Sequence, residues 1–383
     1  MTALSTAPRL QPAIASVPAG APDRGESSAV AVRIVSSVDD GARTAWRDFC
    51  GSAPDATVFH RPEWFDAVAR AFGHDTHLLL AESTIAGSPG RRELVGLLPL
   101  TDVRSRLTGR RLISAAYGTS GGVVARDAAA ARRLVESAEN LALRLGASLV
   151  EIRSQADYAP DWQVDRRYVE FVRDLPAGLA DVDAWLPRKA RAAARQARER
   201  EGLTVRHAAA DLDLVWDLYS RSMRRLGSIN YPRSFFHALA RTLGPRLWAT
   251  TVWRGPRPVA GVVSISDRDT IRPYFSGLDE HLRCTGCANY LYLAVVERAV
   301  AEGHTRFDFG RTRRDNVGAF EFKKNQGFAP RPVEYRRFVA PGRKPVDVSP
   351  SNPRFSLARR IWPHMPLALT RPLGAWLSRS IPG

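Results

Sequence analysis

Apolar residues in this chain recur at helical spacing, then in strand-like runs, and the same order of runs is read twice. Phe59-His60-Arg61-Pro62-Glu63-Trp64-Phe65 opens a helix that ends at Phe72-Gly73, and Tyr231-Pro232-Arg233-Ser234-Phe235-Phe236 opens one that ends at Leu243-Gly244. Each has Pro near its start and Gly just past its end, the asymmetry that helix termini impose. Two strands joined by a polar turn follow each helix, at residues 77–82 and 93–100 in the first copy and 247–253 and 259–266 in the second. A further strand (111–115; 270–276) leads through a glycine-containing loop to a long amphipathic helix. Residues 128–145 put Leu134, Ala138, Leu141, Ala142 and Leu145 on one face, and 290–301 do the same with Leu291, Val295 and Ala299. Leu145-Gly146 and Glu302-Gly303 then stop the helices before strands at 148–152 and 305–309, with Gly as the left-handed cap. The pattern predicts an α/β (α+β) protein of two similar units, each a mixed central sheet flanked by helices.

The flanks read differently. Residues 1–28 are mostly Ala, Pro, Ser and Thr and bury too little surface to offset the entropy of ordering, so they are expected to be a disordered tail. The two units are expected at 29–180 and 181–340. A basic, amphipathic tail at 341–383 is expected to be irregular, because Pro363, Pro366 and Pro372 interrupt any long helix. It interleaves apolar residues such as Trp362, Leu373 and Trp376 with arginines, which suits docking on the protein's own surface or on an anionic membrane. No run resembles a signal peptide or a membrane span, so a cytoplasmic protein is expected, with peripheral contact at the inner membrane face as an option. Three cysteines, Cys50, Cys284 and Cys287, make no disulfide framework. The single Cys-x-x-Cys supplies half of a tetrahedral zinc site, so no metal is expected and the thiols read as small packing residues.

Charge points to the partner. The chain carries 56 Lys and Arg against 39 Asp and Glu, a net +17, which draws anionic ligands, nucleic acid or anionic lipid. Residues 188–200 hold six cations against one anion; a solvated arginine-rich helix accounts for this equally well.

Two stretches carry candidate chemistry. Before the second long helix, Arg283-Cys284-Thr285-Gly286-Cys287-Ala288 fits Arg/Gln-x-x-Gly-x-Gly/Ala, the pyrophosphate loop of GNAT acetyltransferases, in which small residues bring backbone amides and a helix dipole to a phosphate. Further on, Phe307-Asp308-Phe309-Gly310-Arg311 precedes Gly318-Ala319-Phe320-Glu321-Phe322-Lys323-Lys324-Asn325-Gln326-Gly327-Phe328. This arrangement resembles the end of the FemAB and BioF2-like acetyltransferase families, where a strand with an acidic residue leads to Phe-Lys and Gly-Phe. Leu97-Leu98-Pro99-Leu100, Glu151-Ile152-Arg153, Pro187-Arg188-Lys189-Ala190-Arg191, Arg224-Arg225-Leu226-Gly227 and Ile361-Trp362-Pro363 extend the likeness. Within the group the chain is most similar to FemAB-family proteins associated with XrtA/PEP-CTERM exosortase systems.

The resemblance implies tandem GNAT-like domains that transfer an acyl or aminoacyl group to an amine, without a metal or a permanently bound cofactor. In Fem enzymes the donor is aminoacyl-tRNA and the acceptor a cell-wall precursor; a place in exopolysaccharide or envelope assembly follows for the exosortase-linked members. The long charged heptad hairpin of Fem enzymes is absent here, so acyl-CoA and aminoacyl-tRNA both stand as donors. By resemblance, Lys323 stabilises the tetrahedral oxyanion of acyl transfer or meets a terminal adenosine. Lys324, next along what reads as a strand, points the other way. Asp308 accepts a proton or orients Arg311, or else forms a structural ion pair with Arg311. Tyr274 offers a hydroxyl for the oxyanion or a proton shuttle, with half-buried packing as its ordinary alternative. Arg283, Gly286, Ala288, Asn289 and Arg311 are the expected donor-binding set. Tyr117, Gly121, Gly122, Arg188, Lys189 and Arg225 are the expected acceptor-binding set, gripping a small-molecule or lipid-linked envelope precursor. Two other readings remain open: an acetyl-CoA-dependent N-acetyltransferase, and a non-catalytic basic module that binds RNA or anionic glycan.

Overall fold

The computed structural model describes residues 30–85, 87–88, 90–154, 158–279, 281, 285–347, 352 and 355–383. The segment expected to be disordered, 1–28, and the expected donor residue Arg283 lie outside these. The first half runs β1 (Ala31–Val35), α1 (Asp40–Ser52), α2 (Pro62–Phe72), β2 (Asp75–Thr84), β3 (Arg92–Ser105), β4 (Gly109–Ile113), β5 (Val124–Ala125), α3 (Ala128–Leu145), β6 (Leu149–Ile152) and β7 (Gln163–Asp174). Helices α4 (Val182–Trp185) and α5 (Arg188–Glu199) lead on. The second half runs β8 (Leu203–His207), α6 (Leu212–Arg225), α7 (Arg233–Leu243), β9 (Leu247–Arg254), β10 (Arg257–Asp267), β11 (Thr270–Leu278), α8 (Cys287–Ala301), β12 (Arg306–Arg313), α9 (Val317–Asn325) and β13 (Pro330–Val339). Helices α10 (Ser356–Ile361) and α11 (Leu367–Ser378) follow.

The punctuation read from the sequence sets the helix ends. Pro62 starts α2 and Gly73, at φ 68°, stops it; Asp127 caps α3 by accepting from the Ala130 amide, and Gly146, at φ 63°, ends it. The strands form one 13-stranded sheet in the order β1-β2-β3-β4-β6-β13-β7-β12-β11-β10-β9-β8, with β5 beside β3. That order is a near-palindrome of the two halves with their last strands exchanged. Strand β13 of the second half pairs with β6 of the first, and β7 of the first pairs with β12 of the second.

One face of the sheet carries a core common to both halves. Helices α2 and α7, the repeat's equivalent pair, pack on each other, joining Trp46, Trp64 and Phe72 to Phe235, Phe236 and Phe275. The opposite face is covered by α3 over the first half and by α5 and α8 over the second. Glycine is required where α6 crosses β11: a Cβ on Gly277 would stand 2.1 Å from the Leu218 carbonyl carbon.

Three expectations need correction. The tail is helical: Pro366 occupies the N-cap of α11, and Pro372 sits within it at the cost of one intrahelical bond. Tertiary packing offsets that loss, because Thr370, Gly374 and Ser378 face inward and Arg371 pairs with Asp217 of α6. Lys323 and Lys324 lie on a helix, α9, which starts where Asn316 accepts from the Ala319 amide. Cys50 is a buried free thiol, as expected, with burial pushing its pKa up to about 12, but Cys287 is buried and disulfide-bonded. No helix among the described residues is long and apolar enough to cross a membrane.

Two outcomes are expected. Gly277→Ala should lower the free energy of unfolding by about 3 kcal/mol or more in denaturant melts, because the strand must move away from a helix backbone. Burial holds His60 and His74 neutral down to about pH 4, against an ordinary value of 6.5. The unfolded chain takes up those protons first, so their contribution to stability falls as pH drops from 6.5 to 4. Histidine ring NMR titrations should show two rings unprotonated throughout that window, with Tm declining across it.

Candidate active site between the two halves

The site arises where parallel strands part. Strands β11 and β12 stay in register only at Thr270↔Arg306 and Ile271↔Phe307, and β12 then bulges against β7 between Asp308 and Arg311. Gly310 takes the left-handed turn of the bulge at φ 70°. The equivalent parallel pair of the first half, β4 and β6, stays laddered from Arg111↔Leu149 to Ile113↔Glu151. Beside these strand ends lies a cavity of about 600 Å³, with Arg153 from the first half, Arg311 from β12, Arg337 from β13 and Tyr168 from β7 on its walls.

Arg311 is the cation the bulge presents. Its Nη1 donates to Tyr335 Oη at 3.1 Å, and the guanidinium lies 4.5 Å from the Tyr168 ring centroid. Among the described residues it forms no salt bridge to a carboxylate, in contrast to Arg153, whose Nε donates to Glu151 at 2.8 Å. Burial alone would raise the Glu151 carboxyl, but Arg153 and Arg337 hold it at about 2.

Lys323 is half-buried behind the bulge. Its Nζ donates to the carbonyls of Phe309 at 2.6 Å, Gly310 at 3.2 Å and Arg311 at 3.3 Å. All three ammonium protons are therefore engaged with β12 backbone. Desolvation lowers the pKa to about 8, against the opposing pull of Asp308. Lys324 points outward to Glu321. Asp308 does not pair with Arg311: it accepts from Arg272 Nε at 3.0 Å and from the Gly310 amide at 2.8 Å. The bulge turns Arg311 away, and β11 brings Arg272 across the wedge.

Tyr274 and the first-half loop are engaged within the protein. Tyr274 donates to the Tyr117 carbonyl at 2.7 Å, and burial pushes its hydroxyl well above the usual tyrosine range. Tyr117, at φ 63°, is buried, stacks on Phe72 and donates to the Ser378 carbonyl. The amides of Gly121 and Gly122 donate to the Arg153 carbonyl and to His60 Nε2. The close approach these glycines permit is to Ala115 and Ser154: a Cβ would stand 2.9 Å and 2.5 Å away respectively.

The expected donor loop is likewise covered. A Cβ on Gly286 would stand 2.1 Å from the Ala193 carbonyl of α5, so it is a helix that comes close there. Ala288 and Asn289, in the first turn of α8, are half-buried. Arg188 and Lys189 project from the start of α5 into solvent. Arg225 is exposed in an open groove with Arg359 and Arg360 and does not line the central cavity. The structure thus brings together Asp308, Arg311 and Lys323, and leaves Arg188, Lys189 and Arg225 on the outside.

Residues not singled out from sequence complete the cavity, chiefly Arg153, Arg337 and Tyr168. The signal for Arg153 was its place in the repeat: Glu151-Ile152-Arg153 stands at the end of β6 where Asp308-Phe309-Gly310-Arg311, with one bulge residue added, stands within β12.

Residues 186–324 match the family profile described as "Acetyltransferase (GNAT) domain". The fold is a tandem GNAT fold. FemX superposes with a TM-score of 0.60 at 13% identity, covering 80% of this chain and 97% of FemX. A conserved protein of unknown function from Bacteroides thetaiotaomicron VPI-5482 gives a TM-score of 0.50 at 12% identity, covering 81% and 100% of the two chains. L-PGS from Bacillus licheniformis gives 0.48 at 15% identity, covering 78% and 91%. A search of curated proteins gave no match.

The bracing role of Lys323 is testable by pH. Lys323→Met leaves three buried carbonyls without donors and should cost about 2 kcal/mol of stability near pH 7. Because the folded value sits near 8 and the ordinary one at 10.5, the unfolded chain holds the proton longer. Wild-type stability therefore gains on the variant as pH rises from 8 to 10.5. A stability difference that stays flat across that interval in urea melts would rule out the brace.

Proposed function

We propose that this chain is an acyltransferase that passes an acyl or aminoacyl group from an activated ester or thioester to an amine held in the central cavity. The observation that carries the reading is the Lys323-braced bulge of β12, which aims Arg311, a guanidinium without a carboxylate salt bridge among the described residues, into the cavity at the mouth of the opened strands. Amine attack on the acyl carbon forms a tetrahedral oxyanion, and a fixed cation in a water-poor cleft stabilises that charge. Arg311 fits the role by position, with Lys323 acting through it and Asp308 with Arg272 holding the strand ends. Tyr274 does not fit proton transfer near neutrality, since its hydroxyl is held high and bonded to Tyr117.

Between donors, the packing of α5 on Gly286 supports an aminoacyl ester over coenzyme A, because the Ala193 carbonyl stands where a pyrophosphate would approach the helix start. Ala288 and Asn289 are the remaining donor-side residues in this scheme, and Arg188 and Lys189 would meet an anionic donor or acceptor outside the cavity. The acceptor reading rests on the family resemblance: an envelope or exopolysaccharide precursor, lipid-linked in the exosortase-associated case. The outer face of α11 favours action at a membrane surface, since Leu369, Leu373 and Trp376 are 51%, 40% and 59% exposed on a strongly basic chain.

The decisive experiment supplies purified protein with acetyl-CoA or with charged tRNA and an amine acceptor, and follows label transfer. Charged tRNA is expected to support transfer, and Arg311→Ala to reduce it about 100-fold or more, on the scale of a lost oxyanion contact. Transfer from acetyl-CoA alone would establish the N-acetyltransferase alternative. Unchanged RNA binding by Arg311→Ala, with no transfer from either donor by wild type, would favour the basic binding module.

For the membrane contact, co-sedimentation with vesicles containing phosphatidylglycerol should drop several-fold for Leu373→Ser/Trp376→Ser and weaken with salt. Equal sedimentation with neutral vesicles would contradict an anionic surface.

A further inference from the structure

Residues 381–383 form part of the wall of the central cavity. Residues 378–380 are fastened to the rim of the first half. Tyr117 Oη donates to the Ser378 carbonyl at 3.0 Å, Arg379 Nε to the Phe72 carbonyl at 3.1 Å, and Arg111 Nη2 to the Ser380 carbonyl at 2.6 Å. From that anchor Ile381, Pro382 and Gly383 turn inward and join the cavity wall. Arg153 Nη2 donates to Pro382 O at 3.2 Å and to Gly383 O at 2.6 Å, and the Tyr117 amide donates to Pro382 O at 3.1 Å. On its other side Gly383 faces Tyr231 and Arg311: an added Cβ would stand 3.1 Å from Tyr231 Oη and 3.5 Å from Arg311 Nη2.

Two guanidiniums, one from each half, therefore flank the same short segment. Arg153 is 3% exposed at its side chain and its other nitrogens are engaged by Glu151 and by the carbonyls of Ala115 and Gly118. The nitrogen it turns to the tail is the one left for a ligand. Arg311 has Tyr335 and aromatic faces for company and, among the described residues, no carboxylate in salt-bridge contact. Backbone carbonyls carry partial charge, whereas an anionic oxygen group offers guanidinium the shorter and stronger bond. Both oxygens of the segment are held by Arg153, so an anionic oxygen group that reaches Arg311 as well would be held more strongly than the segment is.

We propose that Arg153 and Arg311 form a receptor for an anionic oxygen group, carboxylate or phosphate, and that Ile381–Gly383 occupies it in the resting chain as an internal competitor. The tail is then a plug whose departure opens the cavity. The inference rests on the cavity being the substrate site, but its occupancy can be measured without any donor or turnover. The arm that carries the plug has a release point of its own, since Gly374 of α11 sits so close to Asn230 that an added Cβ would stand 2.4 Å from Asn230 Oδ1.

The test is calorimetric titration with two probes, inorganic pyrophosphate and the tripeptide Ile-Pro-Gly with a free carboxylate. The full chain should bind both weakly. A chain lacking residues 381–383, which keeps every anchor at 378–380, should bind one of them at least tenfold more tightly, and the preferred probe distinguishes phosphate from carboxylate. Arg153→Gln in the shortened chain should remove the gain. Gly374→Leu, which unseats α11 while leaving 381–383 in the sequence, should reproduce it and serves as the reading if the shortened chain does not fold. Affinities for both probes that match the full chain's, in a folded shortened chain or in folded Gly374→Leu, would overturn the plug. Loss of the plug and absence of acyl transfer are separable, because the titration contains no acyl donor.

Discussion

The exchange of terminal strands is the constraint on which the rest of this molecule depends. Were β7 to stay with β6 and β13 with β12, each half would close on itself as a separate sheet. Because β13 pairs with β6 and β7 with β12, the hydrogen-bond ladder runs through both halves, and residues from the ends of β6 and β12 line one cavity. The price in folding is long loop closure, since residues 149–152 must wait for 336–339. In return the distance from Arg153 to Arg311 is set by sheet geometry, not by a hinge. The shared aromatic core between α2 and α7 reinforces this from the opposite face.

Within that frame the bulge of β12 decides the chemistry. A regular strand would carry Asp308 and Arg311 on opposite sides of the pleat. The extra residue, Gly310, turns the backbone so that three successive carbonyls converge on one ammonium. A lysine suits that task, because its compact point charge has three donors that can each take a carbonyl, whereas the planar fork of arginine suits the opposite task of meeting an anion. The two cations of β12 and α9 are therefore not interchangeable: one holds backbone, and the other lines the cavity.

The sequence made the repeat legible because Pro and Gly mark helix ends locally, and Pro62, Gly73, Gly146 and Gly244 act where they stand. It left the strand exchange hidden, since β7 and β13 are ordinary strands whose partners are chosen by the rest of the sheet. Phe320 and Phe322 alternate as in a strand, yet the Asn316 cap and the packing of Lys323 on β12 make that segment a helix. Glycines declared close approach at 121, 122 and 286 without declaring to what; in each case the neighbour is protein. Resemblance pointed to Asp308, Arg311 and Lys323, which do converge, while Arg188, Lys189 and Arg225 were named for charge or likeness and lie outside the cavity. Charge alone does not distinguish a ligand-facing arginine from a solvated one; burial does.

Burial also explains why a chain so rich in arginine can have a selective centre. Some of its guanidiniums pair with carboxylates at the surface, as Arg33 does with Glu82 and Arg233 with Asp213, and exposed pairs of this kind contribute little to stability or recognition. The same charge inside the sheet has a different weight, because water no longer screens it. Glu151 meets a guanidinium from each half, Arg153 and Arg337, the latter also paired with Asp165, and Arg111, Arg167, Arg311 and Arg313 line the same cavity, so its walls carry more guanidinium than carboxylate. That surplus exists only because the exchanged strands bring β6, β13, β7 and β12 side by side. The net positive cavity is thus a product of topology acting on a few residues, and the large overall charge of the chain is not needed to produce it.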